Sequence, residues 1–320
     1  MSDEHILALA GGRRIAYAHS GNAASPRVLI FFHGTFGVGD ASHPSPILAA
    51  KNIFALSPTL PGWGNSSPVP AGKPYHVCLA EDITALLTHL YPDSSRLQIY
   101  IGGGSFGTVP AQMLYGAPFD LFPLGRQVVG CLLIAPLSPF RYHKEYTKSM
   151  PLSTYFAIGP PAHVVPCHLV QRAAALALRC KTRTQAAAEK FIREHLFDKM
   201  GDGERAALRR WRQGKGRTEE DVVGHLARNM VQSVAKTWDG FVGMADVIHS
   251  DWGFRPDALD EEHTVDRPVL VVASTDDAMT PDGMARWLAG SYANARLRLI
   301  SGGHLAAMFH LDSILDEFVI

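Results

Sequence analysis

Residues 97–107 read Leu97-Gln98-Ile99-Tyr100-Ile101-Gly102-Gly103-Gly104-Ser105-Phe106-Gly107, and Thr108–Tyr115 continue as TVPAQMLY. LQIYI is a short apolar run of the kind that forms a buried strand. TVPAQMLY suits a helix, with Pro110 tolerable only because it falls near the start. Between them lies Gly103-x-Ser105-x-Gly107. This pattern requires a strand to turn sharply into a helix, with the serine at the apex in a strained conformation. Small residues two before and two after let the flanking backbone come close. The bare pentapeptide arises by chance in roughly one chain in ten of this length. Its place between a strand and a helix is what gives it meaning. A phosphate loop is not indicated, because no G-K-[ST] follows and G-x-G-x-x-G is not completed.

Outward from this turn the chain alternates strand and helix. Ile6–Ala10 and Arg14–His19, separated by Gly11-Gly12, read as a hairpin. Arg27–Phe32 (RVLIFF) is continuously apolar, as a strand buried on both faces must be. Asn52–Ser57 is a weaker strand. Val77–Tyr91 is helical, with Glu81-Asp82 read as acids near its start. Val128–Ala135 is a further strand. The strand signal then stops. Leu169–Arg179, Gln185–Met200, Glu204–Gln213 and Glu219–Trp238 all read as helices. The alternation resumes at Pro268–Ala273 (PVLVVA), Ala295–Ile300 and a helix from about Leu305 to Phe318. The expected architecture is α/β. A mostly parallel sheet with flanking helices is formed by residues 1–140 and 265–320, and a helical cap is inserted over 141–264.

The 320 residues are 47% hydrophobic and 19% charged, with 30 Lys+Arg balancing 30 Asp+Glu. A zero formal charge gives no steer toward nucleic acid or an anionic membrane, so neither is expected as a partner. The four cysteines form no CxxC pair, which argues against zinc and redox motifs, and Cys131 reads as a core residue. The opening MSDEHILALAGG lacks the apolar run of a secretory leader, and no stretch reaches 18 uninterrupted apolar residues. A cytoplasmic protein with reduced thiols is the expectation. The oligomeric state stays open, with a homodimer one option.

A serine hydroxyl needs a base within hydrogen-bond reach, and the base needs an orienting acid. Ser301-Gly302-Gly303-His304 follows the last strand and supplies the base, His304. After PVLVVA come Asp276 and Asp277, and either qualifies as the acid. Asp277 is preferred because Pro281, four residues on, matches the usual spacing of this turn. Ala135-Pro136-Leu137-Ser138-Pro139, after the preceding strand, contains no acid. Negative charge developing on a substrate oxygen needs backbone N–H donors. Phe106 supplies one directly after the serine. Thr35, in His33-Gly34-Thr35-Phe36-Gly37 after RVLIFF, supplies the second. His33 is read as bracing that loop.

The stretches FFHGTFG, SPTLPGWGNSS, GGGSFG, STDDAMTP and SGGH, in this order, resemble the α/β-hydrolase superfamily in its serine-nucleophile branch with a helical cap. The overall style is similar to uncharacterised fungal hydrolases of that branch. The resemblance implies an eight-stranded sheet, a Ser105–Asp277–His304 triad and a cap over the site. It implies hydrolysis with no cofactor and no metal. One departure is Gly104, where many relatives carry histidine. A serine rather than an aspartate nucleophile argues against epoxide hydrolase or haloalkane dehalogenase chemistry. Phe36, Tyr155, Trp238, Phe241 and Trp252 are candidates for an apolar substrate pocket. The leading expectation is hydrolysis of an ester, lactone or related carbonyl bond of a small, largely apolar molecule. Two others stand beside it: non-ester chemistry on the same triad (C–C bond hydrolysis, a lyase or a cofactor-independent oxygenase), and a non-enzymatic small-molecule receptor.

Overall fold

Strand β3 (Arg27–Phe32) lies between β4 (Phe54–Pro58) and β5 (Gln98–Gly104), parallel to both, which is why RVLIFF carries no polar face. The computed structural model describes residues 4–319. Eight strands form one sheet in the order β1-β2-β4-β3-β5-β6-β7-β8. The outer strands β1 (His5–Ala8) and β2 (Arg14–Ser20) are antiparallel, and every pairing from β4 onward is parallel. The remaining strands are β6 (Val128–Ile134), β7 (Val269–Ser274) and β8 (Ala295–Ile300). The hairpin turns through Gly11 and Gly12, both at positive φ.

Alternate side chains of each strand enter opposite layers. Val28, Ile30 and Phe32 join a core completed by α2 (Tyr75–Leu90) and α3 (Thr108–Tyr115) on one face. Leu29 points to the other face, which is covered by α1 (Pro46–Ala50) and the C-terminal helix Leu311–Phe318. Asp82 corrects one expectation. Helix α2 starts two residues earlier than its periodicity indicates, at Tyr75, so Glu81 and Asp82 lie beyond its first turn. Asp82 is instead buried and accepts two hydrogen bonds from Arg13, at 2.5 and 2.7 Å, pinning the hairpin onto the helix.

Between β6 and β7 no strand occurs among the described residues. The insertion contains α4 (Leu152–Ile158), α5 (Pro160–Val164), α6 (Leu169–Thr182), α7 (Gln185–Ile192), α8 (Asp202–Gly214), α9 (Glu219–Val234), α10 (Asp239–His249) and the short α11 (Glu261–Thr264). The helical run read over Glu219–Trp238 is one helix that stops four residues short. It ends at Val234, and a second helix begins after Trp238, where Gly240 N–H is bound by Gly62 C=O at 2.9 Å. Helices α7, α8 and α9 bury a core of their own around Ile192, Leu208, Val223 and Met230. The sheet resumes with β7, α12 (Asp282–Ser291) and β8, and the chain closes with α13, the helix Leu311–Phe318 named above. Among the described residues no helix is long and apolar enough to cross a membrane.

Candidate active site

Ser105 stands where β5 ends and a single 3₁₀ turn leads into α3, with its backbone at φ 53°. A non-glycine residue there is strained by about 1–2 kcal/mol, so the surrounding packing must impose it. The flanking glycines explain how. A Cβ on Gly103 would lie 2.1 Å from the Gly107 carbonyl oxygen, and one on Gly107 would lie 2.2 Å from that of Phe32. No side chain fits either place. The Thr108 hydroxyl donates to the Ser105 carbonyl at 2.7 Å and accepts from Leu137 N–H, locking the turn to the end of β6.

The loop after β3 sits against this turn. A Cβ on Gly34 would lie 3.2 Å from both the Gly104 carbonyl oxygen and Ser105 Cβ. His33 holds the loop in place. Its Nε2 accepts from Leu60 N–H at 3.0 Å, so Nδ1 carries the proton and donates to Gly34 C=O at 2.8 Å. Burial pushes the imidazole down to about 4, against a weaker upward pull from that carbonyl, so the ring is neutral at pH 7. His33 therefore braces the loop that carries Thr35, as expected. The Thr35 hydroxyl donates to Met244 Sδ at 3.2 Å, and its N–H is not engaged by any described residue.

Asp277, not Asp276, meets His304. His304 Nδ1 lies 2.7 Å from Asp277 Oδ2, whose side chain is fully buried. Asp277 also accepts from Met279 N–H, Thr280 N–H and the Thr280 hydroxyl. Burial alone would raise its pKa. The hydrogen bonds from His304 and Thr280 outweigh that, and the carboxyl is held below its ordinary value. An ionised carboxylate only accepts, so the proton sits on Nδ1 of His304 and leaves Nε2 as a base. Asp276 is exposed, and its N–H ties the loop to Gly302 C=O at 3.0 Å.

Glu204 of α8 completes this loop, although its sequence context marks it only as a helix residue. Its Oε2 accepts from Gly303 N–H at 2.9 Å, one residue before His304, and the side chain is buried. Nothing local marks it, because its partner is 99 residues away. A cavity of about 640 Å³ lies between this stretch of α8 and β8. It is lined by Glu204, Arg210, Asp276, Arg298 and Gly303 but by neither Ser105 nor His304.

Three of the five apolar candidates come together. Phe36, itself at positive φ, stacks on Phe241 at 5.1 Å, and Trp238 meets both rings edge-on. Phe241 and Met244 thus bring α10 directly over the Thr35 loop. Two candidates lie elsewhere. Trp252 is buried, donates its ring N–H to Val247 C=O and belongs to the main core, so packing rather than an open pocket accounts for it. Tyr155 makes its ring contact with Phe156 instead.

A model of the Alpha/beta hydrolase family matches residues 29–319. Solved structures with the same fold include a hydrolase from Pseudomonas aeruginosa PA01, 19% identical, with a TM-score of 0.56 over 98% of this chain and 95% of that one. A thermophilic esterase from Thermogutta terrifontis is 17% identical, with a TM-score of 0.54 over 98% and 96%. A bromoperoxidase from Bacillus anthracis is 14% identical, with a TM-score of 0.58 over 98% and 97%. No curated protein matches the chain in sequence. The family model runs from within β3 to the end of α13, through the strained serine turn and the insertion, and the chain belongs to the alpha/beta hydrolase family.

Proposed function

We propose that the chain is a serine hydrolase that cleaves an ester, lactone or related carbonyl bond of a small, largely apolar molecule. The observation that carries this reading is the buried Asp277–His304 hydrogen bond in the same carboxyl-edge loop cluster as a serine at positive φ. In this reading His304 Nε2 takes the Ser105 hydroxyl proton as Oγ attacks the carbonyl carbon. The oxygen that becomes negative is held by the N–H groups of Thr35 and Phe106. As the intermediate collapses, the bond to the leaving oxygen breaks and His304 returns its proton there. Water, deprotonated by the same imidazole, then attacks the acyl-enzyme and frees Ser105. Residues 141–264 serve as the cap, and Phe36, Trp238 and Phe241 form an apolar wall suited to an uncharged acyl group.

The test is a serine-directed fluorophosphonate together with a panel of short esters, lactones and β-diketones. Labelling of Ser105 and ester turnover, both lost in Ser105→Ala, support acyl-enzyme chemistry. Turnover that survives Ser105→Ala overturns it in favour of His304 acting as a general base without a covalent step. Binding without any turnover favours a receptor.

A further inference from the structure

We propose that the outer face of α4, α5 and α6 is a docking surface for an anionic lipid bilayer. Leu152 is 76% exposed, Phe156 56%, Val164 74%, Leu169 56% and Leu176 69%. The three helices contact one another and rest on α10. Asp246 of α10 bonds His163 and His168, and His249 of α10 bonds the Ile158 carbonyl, so α10 ties this layer in place. The five apolar side chains are on the side left to solvent. Isolated exposed leucines are ordinary, but five on three packed helices form a patch.

Charge identifies what covers the patch. Residues 146–188 hold five Lys/Arg (Lys148, Arg172, Arg179, Lys181 and Arg183) and no Asp or Glu. The zero net charge of the whole chain, from which no membrane partner is expected, hides this imbalance. Among the described residues Arg172, Arg179, Lys181 and Arg183 form no salt bridge, whereas Lys148 pairs with Glu145. On α6 the exposed residues Leu169, Arg172, Leu176 and Arg179 recur at intervals of three and four, which places them along one helix face. A face that alternates leucine and arginine suits the bilayer boundary, with apolar ends among the acyl chains and guanidinium groups at lipid phosphates. A second copy of the chain fits less well. A two-fold contact would set these cations against themselves, and the one acid beside them, Asp246, is already engaged by His163 and His168. Docking would bring the bilayer to one side of α10, whose other side carries Phe241 and Met244 over the Thr35 loop.

The experiment measures binding, so its outcome is separate from the hydrolase reading. The full chain is co-sedimented with phosphatidylcholine vesicles made with and without a third of phosphatidylglycerol. The acidic vesicles are expected to bind about tenfold more tightly or better, with the preference shrinking as salt rises. Leu169→Ser with Leu176→Ser, and separately Arg172→Gln with Arg179→Gln, each weaken binding by about tenfold. Ile6→Ser, at an exposed apolar residue on the hairpin, leaves binding unchanged and controls for general stickiness. Equal or absent binding to the two vesicle types overturns the proposal. So does a dimer, seen by light scattering, that the leucine variant dissociates.

Discussion

Asp277 and His304 lie 27 residues apart in the chain and 2.7 Å apart in the fold, joined through Nδ1 of the imidazole and a carboxylate with no solvent access. Asp277→Asn keeps the shape but offers an amide where an acceptor is needed, which favours the wrong tautomer of His304. Turnover of any ester substrate is expected to fall by about 10⁴-fold in kcat, with KM little changed. The same substitution tests a pH effect on stability. The Asp277 pKa is depressed on folding, so its stabilisation is full above the ordinary aspartate value of about 3.9 and fades as pH falls through the folded value. Melting temperatures of wild type and variant should therefore differ most at neutral pH and converge in acid.

Ser105→Gly separates strain from chemistry. Glycine adopts φ 53° without penalty. The variant is expected to be more stable by about 1 kcal/mol, raising the melting temperature by roughly 2 °C, while ester turnover is abolished. An unchanged or lower melting temperature would show that the strain relieved does not exceed the entropy that glycine adds to the unfolded chain.

His33 sets an acid limb on the stability curve. Its pKa is lowered on folding to about 4, so the unfolded chain binds more protons between about 6.5 and 4. Stability is then lost as pH falls through that window and levels off below it. His225, also held down to about 4, shares the window. In His33→Asn the limb should be shallower than in wild type, but not absent, by urea unfolding at stepped pH.

Glu204→Ala leaves the Gly303 N–H without its acceptor, a cost of about 1–3 kcal/mol. Because the next residue is His304, the expectation is a drop in kcat of about tenfold with a smaller change in KM. Glu204→Gln retains an acceptor oxygen and should recover most of the loss. If alanine and glutamine variants match wild type in kcat while both lose stability, Glu204 braces the fold and does not position the base.

Local sequence dictates structure wherever one segment determines its own geometry. The strand LQIYI, the helix TVPAQMLY and the glycines on either side of Ser105 are local in this sense, and each stands where its residues indicate. The long strand-free stretch was equally visible. Local pattern misleads where a distant partner intervenes. Glu81-Asp82 looked like acids at a helix start, but Asp82 is held by Arg13, 69 residues earlier. The run over Glu219–Trp238 ends at Val234, four residues short of its pattern, and a separate helix begins at Asp239 beside the Gly62 turn. Trp252 looked like a pocket wall and is core.

By itself the sequence determined the parallel sheet, the strained turn at Ser105 and the order in which an acid and a base follow it, because hydrophobic period and glycine placement act over a few residues. Between the neighbours Asp276 and Asp277, which share the same chemistry, it favoured Asp277 only through the spacing to Pro281. The tertiary structure shows directly which of them meets the base. There the β7 and β8 loops meet, Asp276 N–H is fixed to Gly302 C=O, and Asp277 is turned inward to His304. The same holds for Phe36 on Phe241 and for Glu204 on Gly303. Each is a contact between segments far apart in the chain, and side-chain direction there is set by packing that no local pattern encodes.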